Sequence, residues 1–174
     1  MSRPCWIAVC ALSTLAASFP LGAATLARSD VQGAAGLCKA ATPAYAAAVR
    51  YRPLGVANES AANAYVTCSW QGDDNSTAAR GATKVYVAIS NFGSSTARVT
   101  CTLVEGHQDG AFTFASYNPK TISIAPGAGA TLQWLPSEIQ GAPATIELPS
   151  LSCALPAGAT MNYTGKEYNE DVGA

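Results

Sequence analysis

The sequence is poor in the residue types that most active sites use. Only one of the 174 residues is a histidine, His107, and charged residues make up 12% of the chain. There is no Cys-x-x-Cys pair of the kind that holds zinc, and no Gly-x-Ser-x-Gly motif of the kind that presents a nucleophilic serine. These absences argue against an enzyme, and no cofactor or metal is predicted.

An excess of charge of either sign is also missing. The chain has 10 Lys and Arg against 11 Asp and Glu, a net charge of −1, and the basic residues are scattered along it. Proteins that bind a phosphate backbone carry a basic patch or stripe. A nucleic-acid partner is therefore not expected.

Long apolar runs are absent except near the N-terminus. Residues 1–24 contain a basic start at Arg3, an apolar run over residues 5–19 and small residues at the end, which is the layout of a secretory signal peptide. We predict cleavage after Ala24, with Ala27 as the second choice. The run is shorter than the roughly 20 residues of a spanning helix, so an uncleaved anchor is the less favoured alternative and no membrane span is expected after cleavage.

Two of the six cysteines are lost with the predicted signal peptide, and the remaining single domain, residues 25–174, keeps four: Cys38, Cys68, Cys101 and Cys153. An even number of cysteines in an exported chain indicates a disulfide framework. Four cysteines allow three pairings, of which we favour Cys38–Cys68 and Cys101–Cys153. The mature protein is predicted to be secreted or periplasmic.

Apolar and polar residues alternate with period two in most segments after residue 60, which indicates β-strands with one buried face. Three of the cysteines lie on such buried faces, where bridges between strands or between sheets are easy to close. The predicted strands are 65–70, 85–89, 98–103, 112–114, 121–124, 131–134, 145–148, 151–155 and 160–164. Turn-forming residues separate them, notably at 71–81, 106–110 and 117–119, and the whole pattern is that of an all-β sandwich or barrel.

Residues 85–134 contain the motifs Val85-x-Val87, Asn91-x-Gly93, Pro126-Gly127 and Trp134. In these motifs the segment resembles bacterial Ig-like extracellular modules of the adhesion or cell-surface type, and the whole chain is similar to small secreted proteins of Gram-negative bacteria. The resemblance implies an Ig-like β-sandwich, for which we expect about 7–9 antiparallel strands. The residues themselves predict an irregular start at 25–60 and a frayed tail at 166–174. Antibody-type domains place a tryptophan midway between two cysteines, whereas Trp70 follows a cysteine by two residues, so no functional residue is transferred.

Tyrosines are the best candidates for a binding surface, because an exposed tyrosine offers both a ring and a hydroxyl. Tyr65 and Tyr86 point away from the predicted core and are taken as binding residues. The other tyrosines of the predicted domain are Tyr45, Tyr51, Tyr117, Tyr163 and Tyr168.

Two further segments have the chemistry of a site. His107 is flanked by Glu105 and Asp109, a pattern compatible with an acid/base or metal cluster but also with a polar hairpin tip. Residues 73–77 offer oxygen ligands for calcium, without the spacing of a calcium loop. The favoured function is thus a non-catalytic module that binds a protein or a glycan; the alternatives are a structural or envelope-associated protein, and a hydrolase that uses His107.

Overall fold

The computed structural model describes residues 24–70 and 81–172. These residues form eleven β-strands, a single-turn helix and two short 3-10 turns. The strands are β1 (Thr25–Gly33), β2 (Cys38–Ala40), β3 (Val49–Arg52), β4 (Gly55–Asn58), β5 (Ala64–Ser69), β6 (Ala82–Asn91), β7 (Ala97–Asp109), β8 (Phe112–Ile124), β9 (Gly129–Trp134), β10 (Ser150–Leu155) and β11 (Ala159–Asp171). The helix α1 spans Ala34–Leu37, and the 3-10 turns span Pro43–Tyr45 and Pro136–Glu138.

The strands make two antiparallel sheets. Sheet A has the order β3-β4-β11-β6-β9, with β1 paired to the far half of β11, and sheet B has the order β2-β5-β10-β7-β8. The central strands of sheet B bury every second residue, as in β5, where Ala64, Val66 and Cys68 are buried and Tyr65 and Ser69 are exposed. The buried faces form one core, so the predicted all-β sandwich is confirmed.

The order of the strands is that of a jelly roll. Of the eight strands from β4 to β11, the first lies beside the last in sheet A, and the second lies beside the seventh in sheet B. In an Ig domain the first strand lies beside the second. The predicted Ig-like topology is therefore not confirmed. The motifs that suggested it are turn signals, which do not specify the sheet that the next strand joins.

Both predicted disulfides are confirmed, but they do not join the two layers. Cys38 faces Cys68 across β2 and β5, and Cys101 faces Cys153 across β7 and β10, with Cα–Cα distances of 4.1 and 4.0 Å. Each bridge therefore links neighbouring strands of sheet B. Met161 of sheet A contacts the Cys38–Cys68 bridge from the other layer, since its Sδ lies 3.6 Å from Sγ of Cys38 and 3.4 Å from Sγ of Cys68.

The two chain ends are more regular than the sequence predicts. Region 25–60, expected to be irregular, contains the first four strands, and residues 166–171 of the expected frayed tail belong to β11. The two ends pair with each other, from Thr25 opposite Asp171 to Gly33 opposite Tyr163. Strand β1 is exposed at almost every position, so it carries no alternating pattern that could have indicated it.

The β7–β8 hairpin is also longer than predicted. Segment 117–119 was expected to be a turn but lies inside β8, and the turn expected at 106–110 is confined to the tip. Proline is tolerated on an edge strand at a position whose N–H would face solvent. Pro119 meets this condition because β8 is the outermost strand of sheet B.

The strand predicted at 145–148 is reduced to a single bridge between Ile146 and Ala82. Leu148 has a φ of 44°, a left-handed conformation that ends extended structure. Among the described residues, no helix has the length and apolar character needed to cross a bilayer.

Removal of either disulfide should destabilise the domain. Because each bridge closes a loop, of 30 residues for Cys38–Cys68 and 52 for Cys101–Cys153, the paired Cys→Ala variants should each lose about 3–4 kcal/mol of unfolding free energy. Urea titrations followed by circular dichroism measure this, with Ser29→Ala on exposed β1 as control. A loss below about 1 kcal/mol for both pairs would contradict the expectation.

Candidate functional site

A groove of about 870 Å³ runs along the outer face of sheet A. Its floor is made of small side chains and one glycine at outward-facing positions of β4, β6 and β11: Gly55, Ala57, Ser90 and Thr160. Larger side chains surround this floor, and they come from the β3–β4 turn, from β11 and from the segment after β6. The groove is thus a depression in a sheet surface, bordered by polar and aromatic groups.

A β-bulge in β11 supplies two of the bordering side chains. Met161 pairs with Ile89 and Tyr163 pairs with Ala88, so Asn162 is an extra residue in the ladder. Such an extra residue re-aims the side chains around it. Met161 is fully buried in the core, whereas Tyr163 is 43% exposed and lines the groove together with Asn162.

Hydrogen bonds and ring contacts fix the bulge residues. The Asn162 side-chain amide donates to Oγ of Ser90 at 2.7 Å, which holds its carboxamide over the floor. Tyr163 meets Tyr86 edge to face, with 6.5 Å between ring centroids and an interplanar angle of 82°. Tyr86 in turn lies against Gly165, where an added Cβ would come within 2.5 Å of the ring. A side chain at this position would therefore displace the ring of Tyr86.

The β3 side of the groove carries an ion-pair cluster. Arg50 Nε lies 3.2 Å from a carboxylate oxygen of Glu59, and Arg52 bonds the other oxygen. The hydrogen bond from Arg52, helped by the positive charge of both arginines, lowers the pKa of Glu59 from its ordinary value. The carboxylate therefore stays ionised into the acid range, and the planar groups of Arg52 and Glu59 both line the groove.

Two buried asparagines hold the loops at one end of the groove. Asn58 donates to the carbonyls of Ala62 and Leu155, each at 2.7 Å. Asn91 donates to the carbonyls of Ser95 and Ile124 at 2.8 and 2.9 Å.

The turn beside these asparagines places an aromatic ring at the groove. Gly158 N donates to the Asn58 carbonyl, and Phe92 N donates to the Gly158 carbonyl. The ring of Phe92 is 74% exposed and lines the groove.

The two tyrosines taken from the sequence as binding residues lie on opposite sides of the sandwich. Tyr86 is on the outer face of sheet A, next to the groove. Tyr65 is on the outer face of sheet B, where its ring packs 5.3 Å from that of Tyr45. Alternation identifies which residues point outward, but it does not identify the sheet to which each strand belongs. The two tyrosines therefore do not form one patch.

His107 lies at the tip of the β7–β8 hairpin and is exposed. Its ring stacks on Phe114, with centroids 5.6 Å apart, and Oε2 of Glu105 accepts a hydrogen bond from Ser116. Within residues 24–70 and 81–172 no group of three or more His, Cys, Asp or Glu side chains is placed to hold a metal ion. Segment 73–77 lies outside the described residues.

The sequence patterns do not indicate most of the groove residues. Glu59 and Phe92 lie just after strands β4 and β6, where alternation gives no orientation, and Asn162 and Tyr163 cannot be assigned to one face without the bulge. One signal was present in the sequence: the outward positions Ala57, Ser90 and Thr160 carry small side chains, where an exposed strand face usually has larger polar or charged ones.

The sequence matches no protein-family model and no curated protein. Among solved structures, a family 11 carbohydrate-binding module from Clostridium thermocellum, in complex with a β-1,3-1,4-mixed-linked tetrasaccharide, is similar with a TM-score of 0.40 and 10% identity. The alignment covers 91% of this chain and 92% of that one. The C-terminal family 22 carbohydrate-binding module of C. thermocellum Xyn10B gives a TM-score of 0.37 and 16% identity, over 86% of each chain. These scores are too low to indicate the function of this chain.

Replacing Asn91 by alanine should lower the free energy of unfolding of the domain. The change would leave two carbonyls and the Gly93 N–H, which donates to Asn91 Oδ1 at 2.9 Å, without partners. We expect a loss of about 2–4 kcal/mol, measured by urea unfolding. Exposed Asn169 gives the matched control, Asn169→Ala, which should change stability by less than about 0.5 kcal/mol. Equal losses in the two variants would contradict the assigned role.

The pKa of Glu59 should rise toward its ordinary value in Arg52→Ala, because the hydrogen bond that lowers it is lost. A depressed carboxylate pKa contributes stability at neutral pH that is lost as the pH falls through that pKa, so the variant should lose this contribution at a higher pH than the wild type. Carbon-13 NMR titration of the carboxyl groups measures the pKa of Glu59 in the wild type and in the variant. Arg98→Ala on sheet B is the control and should leave Glu59 unchanged; a shift in neither variant would contradict the ion-pair assignment.

Proposed function

We propose that this protein is an exported, non-catalytic β-sandwich module that binds a glycan in the groove on sheet A. The observation that carries the proposal is the combination, in one depression, of exposed aromatic rings with planar hydrogen-bonding side chains above a floor of small residues. Sugar rings present both apolar C–H faces and hydroxyl edges, so a site for them needs both kinds of group.

The rings of Tyr163 and Phe92 suit the apolar faces. Both are exposed, and both line the groove. A ring already held by its neighbours loses little conformational entropy when a ligand packs on it. Tyr163 meets this condition because its edge-to-face contact with Tyr86 supports it.

The hydroxyl edges of a sugar would meet Arg52, Glu59 and Asn162. The two oxygens of a carboxylate, the forked donors of a guanidinium and the paired donor and acceptor of an amide each recognise neighbouring hydroxyls. The two arginines and the single carboxylate of Glu59 give this cluster a formal charge of +1. We therefore expect a ligand without a cationic group.

A binding role is favoured over hydrolysis for a chemical reason. Glycoside hydrolysis ordinarily needs two carboxyl groups, about 5–9.5 Å apart, one of them with a raised pKa. Glu59 is the one carboxylate among the residues that line the groove, and its pKa is lowered. The signal peptide at residues 1–24 and a secreted or periplasmic location are part of the same proposal, and the two disulfides suit such a compartment.

The proposal is tested by screening the oxidised mature domain against a glycan array and then measuring the best ligand by calorimetry. Tyr163→Ala and Asn162→Ala should each weaken binding by about tenfold or more, since each removes a contact of about 1–2 kcal/mol. Tyr65→Ala removes an exposed tyrosine from the opposite sheet and is the matched control, so its affinity should equal that of the wild type.

Two outcomes would overturn the proposal. One is the absence of binding to any glycan by a folded, fully oxidised protein. The other is a glycan whose affinity falls in Tyr65→Ala and stays unchanged in both groove variants, which would place the site on sheet B.

A further inference from the structure

The free edge of β8 differs from the other strand edges in the described part of the chain. Native proteins protect such edges with charge, proline or short length. In sheet A, edge strand β1 carries Arg28 and Asp30, and edge strand β3 carries two arginines. Edge strand β9 has six residues, and its Gln133 carbonyl already accepts a hydrogen bond from Lys120. In sheet B, edge strand β2 has three residues. Strand β8 has thirteen residues, and its first half has none of these protections.

The ladder shows which backbone groups of β8 point outward. The Cα atoms of Cys101 on β7 and Cys153 on β10 are 4.0 Å apart. This close spacing is typical of a cross-strand pair that exchanges no backbone hydrogen bonds. The N–H and C=O of Cys101 therefore point away from β10 and toward β8. Cys101 is paired with Lys120, and hydrogen-bonded pairs then recur at every second residue along β8. The residues in between, Thr113, Ala115 and Tyr117, direct their N–H and C=O groups away from β7.

An independent hydrogen bond supports this assignment of the outward-pointing backbone groups of β8. Gly106 is the ladder partner of Ala115, and its N–H donates to the carbonyl of Glu147 at 3.1 Å. The Gly106 N–H therefore points away from β8. Gly106 and Ala115 are therefore paired without backbone hydrogen bonds between them. The N–H and C=O of Ala115 must then point away from β7, toward the free edge.

The large exposed side chains of this edge are aromatic, and its other side chains are uncharged. Phe112, Phe114 and Tyr117 are 72%, 59% and 61% exposed, and no residue from 110 to 119 carries a charge. Beyond this stretch Pro119 removes a donor and Lys120 adds a charge. The unprotected edge is thus a segment of nine residues, 111–119, between the hairpin tip and a proline.

We propose that this edge pairs with the same edge of a second copy of the protein, antiparallel and about a two-fold axis at Ala115. That register uses the whole segment: Ala115 faces Ala115 of the second copy, and Thr113 faces its Tyr117. The small side chain at the centre allows close approach. Because the segment is uncharged, self-pairing brings no like charges together, and a charged partner would gain no electrostatic advantage.

The pairing would be weak and reversible, because one strand pair buries less surface than the roughly 1,200–2,000 Å² of a stable interface. It would also join the two B sheets into one continuous sheet. Since the groove is on the outer face of sheet A, its residues take no part in this contact, and the proposal does not depend on glycan binding.

Sedimentation velocity over a wide concentration range, together with amide hydrogen exchange at low and high concentration, tests the proposal on the oxidised mature protein. The mean mass should rise with concentration, and the amides of Thr113, Ala115 and Tyr117 should exchange more slowly in the concentrated sample. Ala115→Pro removes an outward N–H, as Pro119 already does four residues further on. It should weaken self-association by about tenfold or more with an unchanged circular dichroism spectrum.

The double variant Thr113→Lys/Tyr117→Lys covers the case in which the proline variant does not fold. It should also weaken self-association by about tenfold or more, because lysines would face each other across the axis. Tyr65→Lys, on the outer face of the same sheet, is the control and should associate like the wild type. A wild-type protein that stays monomeric at every concentration would overturn the proposal, as would edge amides that exchange at a rate independent of concentration. The proposal would also be overturned if the folded variants associated as strongly as the wild type.

Discussion

The position of β11 in the middle of sheet A is the constraint on which the other features depend. This strand is hydrogen-bonded on both edges, to β6 on one side and to β4 and β1 on the other. Its inward residue Met161 touches the Cys38–Cys68 disulfide, while Asn162 and Tyr163 line the groove. A shift of β11 along its neighbours would disturb the core contact and the groove together, so the same hydrogen bonds secure both.

The two layers are held together by burial of apolar surface and not by covalent bonds. Both disulfides stiffen sheet B from within, and the facing side chains of the core, among them Trp134, Leu103 and Leu151, are fully buried. Within residues 24–70 and 81–172 no disulfide involves sheet A, but the buried side chains of Asn58 and Asn91 bond the loops at one end. The groove is therefore built on the sheet without disulfides, and these two asparagines stabilise the loops at its end.

How much of the fold and of the groove could be predicted depends on which structural property each sequence pattern reports. Alternation located the strands whose inner face is buried, such as β5 and β10, and the cysteines on those faces paired as expected. The same signal could not detect β1, which is exposed on both faces, or the middle of β8, where residues 117–119 predict a turn. It also assigned Tyr65 and Tyr86 to outward faces but not to different sheets, since sheet membership depends on the long-range strand order. The groove was missed because its residues come from β3, β4, β6 and β11 and the segments beside them, which are far apart in the sequence.

The bulge at Asn162 has a consequence for how related chains should be compared. Side chains on a strand alternate, so two residues that are two positions apart normally share a face, and a bulge breaks this rule. Asn162 has no partner in the ladder, so Tyr163 lies outward opposite Ala88 although it follows the inward Met161 by two positions. A deletion of Asn162 alone would therefore leave Met161 and Tyr163 on their present faces and would remove only the amide from the groove. Comparisons of this region between species need to count residues between Met161 and Tyr163 before they compare residue types.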